Sequence, residues 1–223
     1  MCGRYTITVQ PELLAERFNA ALPPEMSEPR YNAAPSQTLP VILNENEQQI
    51  QLLRWGLVPH WSKTPDTGYR MINARAETLE EKSTFREALR RRRCLVLADG
   101  FYEWKKTDDG KVPMRITLKS GEPFAFAGLW ETWKDRETGE LLRTFTIITT
   151  TPNDLMVPIH DRMPAILLPE MERTWLDDSA GPERWRELLR PYPADLMRAY
   201  PVSRLVNSPT NESPALVAPA YQE

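Results

Sequence analysis

Five strand-like runs follow one another through the middle of the chain, at residues 94–98, 101–105, 113–118, 124–130 and 144–150. They are rich in β-branched and aromatic side chains, and Gly100, Asp109-Gly110, Gly121 and Gly139 punctuate them. Such a middle folds around paired strands. Residues 39–43 and 49–53 read as a hairpin across the polar Asn44-Glu45-Asn46-Glu47 turn, and 163–168 and 200–206 read as further strands. Helical patterns sit at the edges. They are Pro11–Phe18, with proline at the first helical position, residues 84–92, Pro169–Leu176 and residues 182–189. The expected class is α+β, with mainly antiparallel sheets forming a barrel-like core and peripheral helices. There is no repeat and no dividing linker, and 223 residues suffice for one sizeable core. Residues 1–223 are therefore read as one domain, with the proline-rich 208–223 as a loosely held tail.

Composition narrows the function. Lys+Arg is 28 and Asp+Glu is 31, a net charge of −3 that excludes a globally basic nucleic-acid binder. The charge is uneven, however: residues 51–120 hold 15 basic and 9 acidic side chains, net +6. A local anion-binding patch is thus open to the fold. The run Arg90-Arg91-Arg92-Arg93 must face several directions, and it reads instead as the end of a helix, suited to its negative pole. Two cysteines and two histidines make neither a disulfide framework nor a multi-cysteine zinc module. No run nears the roughly 18 apolar residues of a membrane span, and Met1-Cys2-Gly3-Arg4-Tyr5 lacks the regions of a signal peptide. A cytoplasmic protein with reduced thiols, no membrane partner and a monomeric state is expected.

Cys2 follows the initiator methionine, which is normally trimmed before a small side chain. Trimming would leave an α-amine and a thiol on adjacent carbons. The amine has an unperturbed pKa of about 7.7–8.0 and the thiol about 8.5, so both are available near neutrality. A 1,2-aminothiol condenses with an aldehyde through nitrogen and then closes a five-membered thiazolidine through sulfur. Alternatively, the amine serves as base for the thiol, as in amino-terminal-nucleophile hydrolases. On position alone, a chance cysteine at a frayed chain end is the simpler reading.

Further motifs follow in order. They are Arg30-Tyr31-Asn32-Ala33-Ala34-Pro35, Trp55-Gly56-Leu57-Val58-Pro59 with Trp61, and Ile72-Asn73-Ala74-Arg75-Ala76-Glu77-Thr78. Then come Ala98-Asp99-Gly100-Phe101-Tyr102-Glu103-Trp104-Lys105, Ile159-His160-Asp161-Arg162-Met163-Pro164, and Pro201-Val202-Ser203-Arg204. With cysteine at position 2, this ordered set resembles the SOS-response-associated peptidase (SRAP) family, the abasic-site processing proteins. The resemblance spans roughly residues 2 to 207.

The resemblance implies binding of single-stranded DNA containing an abasic site, and covalent attachment through Cys2, with associated lyase capacity. No metal or cofactor is required. Its implied catalytic set is Cys2, Asn73, Glu103 and His160. Asn73 can donate and accept at once, though asparagine is also a common turn residue. Glu103 lies between two aromatics, where desolvation would raise its pKa toward proton-shuttling range. Strand alternation could equally leave it on the surface. His160 can protonate the sugar ring oxygen during opening. Arg4, Arg75 and Arg162 are the implied phosphate contacts, Trp61 a stacking residue and Pro35 part of the pocket rim. Paired tryptophans are frequent in the family near Trp61, and here His60-Trp61 stands instead. Cys94 and the other tryptophans read as core. Two other classes stay open on residues alone: a glutamine-amidotransferase-like hydrolase using Cys2, and a non-catalytic single-strand binder.

Overall fold

The computed structural model describes residues 2–26 and 28–220. Two sheets carry the fold. The first holds five strands in the order β12-β8-β7-β1-β2: Met197–Pro201, Gly110–Leu118, Gly100–Thr107, Tyr5–Ile7 and Arg30–Ala33. The second is built from β3 (Thr38–Leu43), β4 (Asn46–Trp55), β6 (Arg93–Ala98), β9 (Phe124–Lys134) and β10 (Leu141–Thr150). It closes on itself, because β10 pairs with both β9 and β4. The short strands β5 (Asn73–Arg75) and β11 (Met163–Pro164) attach to β10. This is the α+β, barrel-cored architecture expected. Among the described residues these strands pair antiparallel except that β10 runs parallel to β4 and β5, and Ala21 adds a parallel bridge to Gln49 of β4.

Prolines sit where a missing N–H costs least. Pro11 and Pro169 open α1 (Pro11–Phe18) and α3 (Pro169–Leu176). Pro40 in β3 opposes Leu52, one residue before β6 begins pairing on the other side at Val41. Pro113 in β8 opposes Trp104, just beyond the β12 register that ends at Met114. The arginine run divides by direction, as expected. Arg90 and Arg91 are exposed at the end of α2 (Ser83–Arg91), whereas Arg93 is fully buried. Its guanidinium lies 3.9 Å over the Trp185 ring of α4 (Gly181–Leu188) and donates to the carbonyls of Trp175, Leu89 and Leu176. It thereby satisfies orphan carbonyls at the ends of two helices and holds both against the barrel.

Three expectations need correction. Of 163–168, only Met163–Pro164 is strand, because Pro164 cannot donate, although Ala165 and Leu167 still bond Ile148 and Ala125. Of 200–206, the strand ends at Pro201, and Ser203 caps a 3-10 turn at Arg204–Asn207. The tail is not loose through residue 220. Glu212 accepts from the Tyr31 and Asn32 amides, Asn32 donates to Ser208 and Asn211 carbonyls, and Leu216 is buried beside Tyr102. Residues 221–223 lie outside the described residues. Among the described residues no helix is long and apolar enough to cross a membrane.

Candidate active site

The amino-terminal strand is placed by a buried carboxylate. Asp99 accepts from Thr6 Oγ1 at 2.6 Å, from Thr8 N and Oγ1 at 2.5 Å each, and from Val9 N at 3.1 Å. Arg115 of β8 neutralises it at 3.3 Å. Gly100 beside it has no room for a side chain, since a Cβ there would lie 2.8 Å from Thr6 Oγ1. With β1 so fixed, Tyr5 opposes Phe101, and Tyr102 N donates to Arg4 O at 3.0 Å. Cys2 is thereby laid along the Glu103 end of β7.

Cys2 is fully buried, with its Sγ 3.8 Å from Arg4 O. Burial pushes its thiol pKa up, and the nearby Glu103 charge adds to the rise. The thiol is therefore held protonated, and nucleophilic use of it needs a base. Glu103 shares the Phe101 face of β7, but that face is the core, so the residue is only 3% exposed. That burial rules out a surface position for Glu103, and Tyr102 on the opposite face is covered in turn by Val202, Val206 and Leu216. Burial raises the Glu103 pKa, and His160 opposes the rise. Glu103 Oε2 stands 3.9 Å from His160 Nε2. That is long for a hydrogen bond and within reach of a charge pair.

His160 ends a turn in which Ile159 and His160 amides both bond Met156 O at 2.8 Å. It lines an open cleft of about 480 Å³ with Trp104, Lys106 and the 157–161 segment. Asn73 begins β5 opposite Ile147 of β10. Its side-chain nitrogen and oxygen are both buried without a hydrogen-bond partner among the described residues. An amide left so is costly unless a ligand meets it.

The expected DNA contacts differ in their surroundings. Arg4 is engaged by Asn32 Oδ1 at 2.7 Å and Val206 O at 3.0 Å, and burial lowers its pKa. Arg162 is held in a fork by Glu77 at 2.7 and 2.9 Å and by Thr149 O at 2.6 Å. Arg75 is exposed, Pro35 is half-buried, and Trp61 is 54% exposed. His60, left without a role by its sequence context, contacts buried Glu131 at 3.3 Å, which Arg92 also binds at 3.1 Å. That contact anchors the loop carrying Trp61. Sequence reasoning missed Asp99, Arg115, Glu77 and Thr149, although Asp99 and Glu77 lie inside quoted motifs. Among the described residues no group of three or more His, Cys, Asp or Glu side chains converges as a metal site.

Residues 1–209 match the family described as SOS response associated peptidase (SRAP). The chain belongs to the SRAP family. SRAP-like relatives include the abasic site processing protein YoqW of Bacillus subtilis, 52% identical over 97% of this chain and 99% of that protein. The abasic site processing protein HMCES of Xenopus tropicalis is 34% identical over 83% of this chain and 64% of its own length. A crystal structure of a protein from Bacteroides thetaiotaomicron shares the SRAP architecture at a TM-score of 0.90. It is 30% identical over 99% of this chain and 100% of that one.

Proposed function

We propose that this SRAP protein processes abasic sites in single-stranded DNA by capturing them covalently on Cys2. Support comes first from the juxtaposition of Cys2, Glu103 and His160, which supplies an aminothiol and an acid–base pair. Relatives named as abasic site processing proteins match nearly the whole chain. In this reading Met1 is removed, exposing the Cys2 amine. His160 protonates the ring oxygen of the abasic sugar as it opens to the aldehyde. The amine adds to the aldehyde carbon and water leaves, giving an imine, with Glu103 carrying the proton. The thiol sulfur then adds to the imine carbon and its proton passes to nitrogen, closing a thiazolidine. Without ring closure, the iminium acidifies the neighbouring sugar carbon and permits β-elimination, the lyase branch. The unpartnered Asn73 amide orients the amine or the opened sugar. Arg4, Arg75 and Arg162 meet flanking phosphates, the first and last through the guanidinium N–H groups that Asn32, Val206, Glu77 and Thr149 leave unused, and Trp61 stacks on a base at the rim near Pro35. Peptidase action, in this reading, serves maturation of the protein's own amino terminus or self-release.

The test is a denaturing gel of methionine-processed protein with single-stranded DNA holding one abasic site. A denaturation-resistant shifted band is expected, absent for Cys2→Ala and for protein retaining Met1. No band from the wild type sinks the reading. Release of ammonia from glutamine would favour an amidohydrolase instead, and a salt-separable complex alone would favour a simple binder.

A further inference from the structure

His160 is useful only if its ring presents the right nitrogen, and the structure holds a specific device for that. Arg162 N lies 3.0 Å from His160 Nδ1. A backbone N–H can only donate, so Nδ1 accepts and the neutral ring keeps its proton on Nε2, the nitrogen facing Glu103. Asp161 Oδ1 also lies 2.9 Å from Nδ1. Nδ1 cannot accept the amide and donate to Asp161 together, so the two contacts belong to different protonation states. Asp161 is 88% exposed and can turn into water, whereas the Arg162 amide has no other acceptor among the described residues. The neutral ring therefore keeps the amide contact.

That amide is itself pinned through its own side chain. The Arg162 guanidinium is gripped at both ends of its fork by Glu77 and tied to Thr149 O in β10. The ion pair pulls the Glu77 pKa down, so the carboxylate is charged at neutral pH. Glu77 sits just after β5, the strand that carries Asn73, and β5 and β11 both pair with β10 at Thr149. One carboxylate thus links the Asn73 segment to the His160 loop.

We infer that Glu77 is a positioning residue that fixes the His160 tautomer through Arg162. This rests on the reading of His160 as an acid–base group, but its structural half can be measured without DNA. The chain has only two histidines, so the His160 ring nitrogens are readily assigned by proton–nitrogen correlation spectra. Wild type should show a proton on Nε2 and a bare Nδ1. Glu77→Ala should populate both tautomers and lower the first-order crosslinking rate at saturating DNA by about 10²-fold, the low end of a positioned acid–base contribution. Glu77→Gln keeps an acceptor for Arg162 and should retain the wild-type ring signature and most of the rate. A wild-type ring protonated on Nδ1 overturns the inference without any variant. So does a Glu77→Ala protein with the wild-type signature. A correct tautomer shift in protein that forms no crosslink would leave the Glu77 relay standing and sink only the proposed function.

Discussion

At the scale of single residues, the candidate site holds groups in states that cost stability. Glu103 binds its proton more tightly folded than unfolded, because burial raises its pKa. The stabilisation this brings is fully present below the unfolded value of about 4.3 and is lost as pH rises through the raised folded value. Glu103→Gln lacks that dependence. Its stability relative to wild type, followed by urea unfolding, should therefore grow from near zero at pH 4 to clearly positive at pH 8. The gain is about 1.4 kcal/mol for each pH unit that separates the unfolded and folded values. Its crosslinking should fall about 10²-fold or more. The opposite pH trend would mean that pairing with His160 outweighs burial. Asn73→Ala removes an amide with neither end bonded, so unfolding free energy should stay level or rise by about 1 kcal/mol while crosslinking drops. A loss of several kcal/mol would show that Asn73 is structural. The residue types were legible in sequence, since an aminothiol and a histidine announce their chemistry. Their states were not, because burial depends on what the far strands bring.

At the scale of elements, the short β1 is held by side chains more than by pairing. Asp99→Ala strips the donors of Thr6, Thr8 and Val9 of their acceptor and leaves Arg115 buried without its carboxylate. Destabilisation of about 3–5 kcal/mol is expected in denaturant titrations. Gly100→Ala pushes a Cβ against Thr6 Oγ1 and Ile116 O and should cost about 1–3 kcal/mol. Both should also slow crosslinking, since β1 places Cys2. The long runs at 94–98, 113–118 and 144–150 were legible because several apolar and β-branched side chains in succession repeat the signal. The three-residue β1 and β5 were not, since pairing partners far along the chain define them. The tail was misjudged for the same reason: its prolines say nothing of the Tyr31 and Asn32 amides waiting for Glu212.

At the scale of the whole molecule, a net charge of −3 coexists with proposed binding to a polyanion. A few cations must then carry the affinity. Binding of unmodified single-stranded DNA should weaken with salt, and the slope of log K against log salt should flatten by about 0.7 in Arg75→Ala. Trp61→Ala should weaken binding by about 1–3 kcal/mol without lowering Tm, because the ring is exposed and packs on no core. An unchanged slope for Arg75→Ala would remove it from the interface.

Sequence alone determined the strand-rich class and the family, and it supplied the groups proposed to react. These follow from local periodicity and from ordered motifs, which need no knowledge of distance. Only the tertiary structure decided that the five-strand barrel closes through a parallel β10–β4 contact, that Glu103 faces inward, and that Asn73 is left unbonded. It also decided that Glu77 and Thr149 claim Arg162. Each of these depends on separate elements packing together, 13 positions apart for Arg162 and Thr149 and 85 for Arg162 and Glu77. Such contacts are set by which surfaces bury together, and that choice is made by the chain as a whole.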